Sequence, residues 1–120
     1  MKSVRGRVVR GDGRGRALGF PTANIKLRSS AGVPRGVWKV LVRGTTLAER
    51  IAACNVGLRP TVGGRRLAVE VHVPGYRGNL YGRTLTVTFL SKIRSERRFA
   101  SMAALRAQIK RDLARILRSQ

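Results

Sequence analysis

Apolar and polar residues alternate in short runs along the first three quarters of the chain, and glycine and proline separate the runs. Period-two alternation is the pattern of strands that bury one face. The clearest run is Thr84-Leu85-Thr86-Val87-Thr88-Phe89, which sets Leu85, Val87 and Phe89 on one face and three threonines on the other. Strands are predicted over residues 3–10, 23–27, 36–43, 50–56, 66–73 and 83–92. Within the fifth, Leu67, Val69, Val71 and Val73 face one way, while Glu70 and His72 face the other. From residue 101 the period lengthens: Met102, Leu105, Ile109, Leu113 and Ile116 recur every three to four positions, opposite Arg106, Lys110, Arg111 and Arg115. This spacing predicts an amphipathic helix over 101–117 whose apolar stripe is core, with Ser101 as its N-cap. Six short strands can close a barrel, so the expected fold class is all-β with a C-terminal helix. The barrel would take residues 1–92, a connecting loop 93–100, and the whole 1–120 would be one domain.

Composition changes this picture in one respect, which is charge. Lysine and arginine number 26 against 5 acidic residues, a net charge of +21. Such a field attracts polyanions without specifying a fold or a chemistry. The basic residues are scattered from Arg5 to Arg118 and form no single run, as a solvated basic surface would have them. A lone cysteine, Cys54, excludes an internal disulfide framework and is expected as a small buried side chain. The N-terminal residues lack the apolar stretch of a signal peptide, and no run approaches the roughly 18 apolar residues of a membrane span. A cytoplasmic protein with no membrane partner and no removable leader is expected, as a monomer.

Candidate chemistry lies in three places. Residues 11–24 form a glycine-rich stretch with Arg14 and Arg16, able to cradle an anion through backbone N–H groups. It is neither a Walker A loop nor a GxGxxG turn opening a helix. Asn55-Val56-Gly57-Leu58-Arg59-Pro60-Thr61 places polar groups and turn formers after a predicted strand, and a structural turn residue is one reading of Arg59. Glu70, one of five acids, sits inside a strand, where glutamate is depleted and its burial needs a partner. His72 is the only histidine, so no histidine cluster for a transition metal can form.

These segments together resemble the riboflavin kinase family, including the kinase module of bacterial bifunctional FAD synthetases. The resemblance runs through Gly11-Asp12-Gly13-Arg14-Gly15, Leu18-Gly19-Phe20-Pro21-Thr22-Ala23-Asn24-Ile25, the Asn55 to Thr61 segment and Val69-Glu70-Val71-His72. It continues in Leu80-Tyr81-Gly82 and in Arg94-Ser95-Glu96-Arg97-Arg98-Phe99 before the helix. It implies a six-stranded antiparallel Greek-key β-barrel and transfer of the ATP γ-phosphoryl group to the riboflavin 5′-hydroxyl, giving FMN and ADP. Carried onto this chain, Glu70 would be the general base, and Thr22 and Asn24 would hold Mg²⁺, or another divalent ion, with the nucleotide phosphates. Gly11, Gly13, Arg14, Gly15, Arg16, Gly19, Pro21, Thr22, Asn24 and Asn55 would bind the nucleotide, and Arg94, Glu96 and Phe99 the flavin. No adenylyltransferase module is expected in the chain, so FMN would be the end product. Two other functions fit the same residues less fully: a basic barrel that binds nucleic acid, and a flavin-binding regulator without activity.

Overall fold

The fold is described here from a computed structural model, over residues 1–11, 18–29 and 32–118. Six strands form in the predicted order: β1 (Ser3–Val9), β2 (Ala23–Lys26), β3 (Gly36–Gly44), β4 (Leu47–Thr61), β5 (Gly64–His72) and β6 (Thr84–Arg94), followed by helix α1 (Met102–Arg118). They close into a barrel in the order β1-β2-β5-β4-β3-β6, every neighbour antiparallel. β2 pairs with β5 rather than with the next strand in sequence, and β6 returns to bridge β3 and β1, which is the Greek-key crossing.

Alternation fills the barrel. Val40, Val42, Val56, Val71, Leu85 and Val87 point inward and are essentially inaccessible, each side chain contributing roughly 1.5–3 kcal/mol by leaving water. The threonines of β6 point outward as expected, and Thr88 meets Ser3 of β1 across the ladder, oxygen to oxygen at 2.8 Å.

β6 runs two residues past its expected end, to Arg94, so the connecting loop begins at 95 and not at 93, and two larger differences from the sequence expectation shape the site. β4 does not stop at residue 56 but continues to Thr61, and β5 begins at Gly64, so the two run on as a ribbon past the barrel rim. Gly63, at φ +85°, supplies the left-handed residue of the two-residue turn. Pro60 is tolerated because it pairs with Arg65 next to the closing pair Thr61–Gly64, where ladder N–H groups point away from the partner strand. β3 no longer pairs with β4 beyond Val56, so that edge has no strand partner there.

The helix is the second difference. Ser101 caps it as predicted, its Oγ accepting from the Ala104 amide at 3.1 Å. Its apolar stripe is not all core, however: Ile116 is buried against Val37 and Ile93, Met102 is exposed, and Leu105, Ile109 and Leu113 are only partly covered. Those three face an open cleft, because the helix touches the outside of the barrel near its C-terminal end and leaves a gap along the rest.

Candidate functional site

Two clefts flank the outer wall of the β2-β5-β4 sheet. The first, about 840 Å³, lies between that wall and the helix with its connector, residues 95–101. Its floor carries Asn55, Glu70 and His72, and its roof Leu105, Ile109, Leu113 and Phe99. The second, about 490 Å³, is bounded by Arg10 and Gly11 after β1, by Pro21, Thr22 and Asn24, and by Tyr76, Asn79 and Tyr81. Thr22 and His72 line both, so the clefts meet beside Glu70.

Register builds this junction. Glu70 of β5 is the direct partner of Asn24 on β2 and of Asn55 on β4, so three polar side chains form one cross-strand row. Asn55 Oδ1 is buried with no hydrogen-bond partner among the described residues. Such an acceptor is costly to leave unmade. His72 Nδ1 donates to the Pro21 carbonyl at 2.7 Å, and its ring meets Phe20 edge-on at 5.6 Å. The histidine thereby fixes the backbone that presents Thr22. No role for it was legible in composition, although its spacing of two from Glu70 on one strand face was the available signal. Gly11 lies against the Asn24 amide, and a Cβ there would push that side chain aside.

Charge concentrates on the other flank. Arg59 Nη2 donates to Glu70 Oε1 at 3.3 Å and Nη1 to Glu96 Oε1 at 3.2 Å. Burial acts to lower the Arg59 pKa, but Glu70 and Glu96 outweigh it and hold the guanidinium's pKa above its usual value. Arg94 grips buried Asp112 of the helix, Nη2 to Oδ2 at 2.9 Å and Nε to both carboxylate oxygens at 3.0 and 3.1 Å. The guanidiniums of Arg94 and Arg97 also lie 5.6 and 4.9 Å from the centre of the Phe99 ring. At the second cleft Arg10 lies 5.4 Å from the Tyr81 ring centre, and the Tyr81 amide donates to Asn79 Oδ1 at 2.9 Å.

The structure therefore brings Glu70, Asn55, Arg94, Glu96 and Phe99 to the first cleft, Gly11, Pro21 and Asn24 to the second, and Thr22 to both. Asn55, a nucleotide-binding candidate by the resemblance, lies in the first cleft with Glu70 and not in the second. Gly19 lines neither cleft and forms a turn at φ +87°. Gly13, Arg14, Gly15 and Arg16 lie outside the described residues. Arg59 stands on strand β4 and not in a turn. Among the described residues no three of His, Cys, Asp or Glu come together as metal ligands. Thr22 and Asn24 offer neutral oxygens, which suit Mg²⁺ held mainly by water and phosphate.

Comparison with known proteins gives the family and the fold. A family model described as Flavokinase, riboflavin kinase, matches residues 2–119. The bifunctional riboflavin kinase/FMN adenylyltransferase of Escherichia coli (strain K12) is 46% identical over 110 residues, 92% of this chain and 35% of that protein. The RNA-binding riboflavin kinase of Bacillus subtilis (strain 168) is 36% identical over 115 residues, 95% of this chain and 49% of that one. The chain thus spans about a third to a half of these curated relatives. Among solved structures, one named as a macrolide-efflux protein from Streptococcus pneumoniae superposes with a TM-score of 0.84 at 34% identity, over 93% of this chain and 37% of that one. Riboflavin kinase from Trypanosoma brucei superposes with a TM-score of 0.67 at 25% identity, over 98% and 75%. By its match along nearly its whole length, the chain belongs to the riboflavin kinase family.

Proposed function

We propose that the chain transfers the γ-phosphoryl group of ATP to the 5′-hydroxyl of riboflavin, with Glu70 as general base. The observation that carries the proposal is the shared rim of the two clefts, where Thr22 and His72 face both beside Glu70. A nucleotide in the smaller cleft and a flavin in the larger would meet there. Phosphoryl transfer asks chiefly for positioning and neutralisation of charge, with one group to take or orient the hydroxyl proton.

The first cleft has the size and character for a planar tricyclic ligand, an apolar roof over a polar floor. Leu105, Ile109 and Phe99 would cover the ring system, and the ribityl chain would run along the row toward Glu70. Asn55 Oδ1, lacking a partner, would accept from a ribityl hydroxyl. At the terminal hydroxyl Glu70 takes the proton as its oxygen bonds to phosphorus, and the bond from phosphorus to the ADP oxygen breaks. In the second cleft the backbone around Gly11 and the Thr22 hydroxyl would face the phosphates. Mg²⁺ fits the neutral oxygens of Thr22 and Asn24 together with those phosphates, and when bound it neutralises the charge that develops on the transferring group. Gly13, Arg14, Gly15 and Arg16 would cover the same phosphates.

The test is incubation with riboflavin, ATP and Mg²⁺, with FMN followed by chromatography and Glu70→Gln run in parallel. General-base assistance is worth roughly 10²–10⁴-fold, so the variant should lose about that factor in kcat with its Tm and riboflavin Kd little changed. A Glu70→Gln protein that turns over at the wild-type rate would remove Glu70 from the mechanism. Wild-type protein that is folded and forms no FMN would defeat the reading as a whole.

A further inference from the structure

Glu70, Arg59 and Glu96 of the first cleft form a chain of contacts, and the proposed reaction leaves its middle member without a task. The Arg59 guanidinium bridges β5, through Glu70, and the β6–α1 connector, through Glu96. Its Nη1 also donates to the Leu58 carbonyl at 3.1 Å, which holds the fork to its own strand. Glu96 can reach this position only because residue 57 has no side chain. A Cβ at Gly57 would stand 2.0 Å from both Glu96 carboxylate oxygens. Just before the connector, Arg94 at the end of β6 is tied to Asp112 of the helix, and the connector carries Phe99 into the cleft.

A glutamate's terminal torsion is broad and roughly two-fold, so something must select the oxygen that faces a substrate hydroxyl. Among the described residues the hydrogen-bond partner of the Glu70 carboxylate is Arg59. A planar fork with fixed donor directions can hold two carboxylates in one relative geometry, which an ammonium cannot. Resting on the kinase reading, we infer that Arg59 is a positioning residue that couples the flavin-side connector to the base: Glu96 sets the guanidinium, and the guanidinium aims Glu70. Closure of the connector over a flavin is thereby registered at the carboxylate that handles the hydroxyl. Riboflavin analogues that fail to engage the connector would leave the base loosely aimed and react slowly even when bound.

The chain of contacts can be cut at three points. Arg59→Met removes the bridge, Arg59→Lys keeps the charge without the fork, and Glu96→Gln weakens the outer pair. Gly57→Ala displaces the Glu96 carboxylate while leaving all three charged residues in place. A misplacement of about 1 Å can cost about 10²-fold, so kcat should fall roughly 10–100-fold in both Arg59 variants, with KM for ATP unchanged. Gly57→Ala and Glu96→Gln should fall together, and Arg59→Met/Glu96→Gln should be no slower than Arg59→Met within about twofold, since coupled groups are not additive. Additive losses in the double variant, or full rescue by Arg59→Lys, would overturn the coupling. The carboxyl ¹³C resonance of Glu70 gives a second readout in the free protein that needs no turnover. It should move in Gly57→Ala and in Glu96→Gln, and a resonance that stays put in both overturns the inference even if catalysis is affected. If Gly57→Ala fails to fold, Glu96→Gln alone decides by the same criteria. Wild-type protein without FMN formation fails the kinase reading, while the Glu70 resonance still decides the coupling.

Discussion

Cys54 is buried on β4 beside the site row, and its thiol cannot ionise at the pH values where a free thiol does. Burial pushes its pKa up, and the negative charge of Glu70 adds to the rise. An unfolded chain releases the proton near pH 8.5, whereas the folded chain retains it. The stability this provides is complete below about pH 8.5 and is lost as pH rises further, at up to about 1.4 kcal/mol per pH unit. Urea titrations between pH 8 and 10 should show wild type losing stability faster than Cys54→Ala, and parallel slopes would contradict the burial argument. Native protein should likewise react with a thiol reagent only as fast as it unfolds. Individual residues differed in how far the chain revealed them. Glu70 was legible, because a glutamate inside an apolar strand demands a reason. Gly57 and Arg59 were not, because the need for a missing side chain at 57 is created by Glu96, which only folding brings there.

At the scale of elements, periodicity located all six strands and the helix, and the differences lie in what each element faces. The stripe of Leu105, Ile109 and Leu113 has helical spacing whether it meets a barrel or a ligand, so the sequence could not separate core from cleft. Attachment of the helix depends on a charged pair as well as on Ile116. Asp112 is buried and paired with Arg94, and Arg115 donates to the Ile93 carbonyl at 2.8 Å. Removing one partner of a buried pair costs about 3–5 kcal/mol, because the other charge is left without compensation. Asp112→Ala should therefore lower the urea midpoint sharply, and Arg94→Met/Asp112→Leu should recover much of the loss. A single variant as stable as wild type would mean that the helix is held by apolar contacts alone. β4 illustrates a related limit: Pro60 reads as a strand terminator until the hairpin register shows that its absent N–H falls on the unpaired side.

For the whole molecule the decisive feature is that two clefts share a rim, and under the proposed kinase reading this bears on how Mg²⁺ would arrive. The described residues contain no cluster of anionic ligands, and Thr22 and Asn24 are neutral. Millimolar Mg²⁺ alone should leave the Tm unchanged, whereas Mg²⁺ with ATP should raise it, because on that reading the ion would be carried by phosphate oxygens. Calorimetric detection of tight Mg²⁺ binding without nucleotide would contradict this order. The charge of +21 acts on the same scale, and it predicts loose binding of nucleic acid that fades steeply with added salt. No helix of the described residues is long and apolar enough to cross a membrane. Local patterning and ordered motifs along the chain were sufficient to read the barrel class, the closing helix and the acid in the fifth strand, because periodicity and turn chemistry act between residues near in sequence. The placement of Asn24, Glu70 and Asn55 in one row, the meeting of two clefts at Thr22 and His72, and the bridge from Glu70 through Arg59 to Glu96 came only with the tertiary structure. Each joins residues from different strands or from the connector, and their contact is set by register and barrel closure rather than by spacing along the chain.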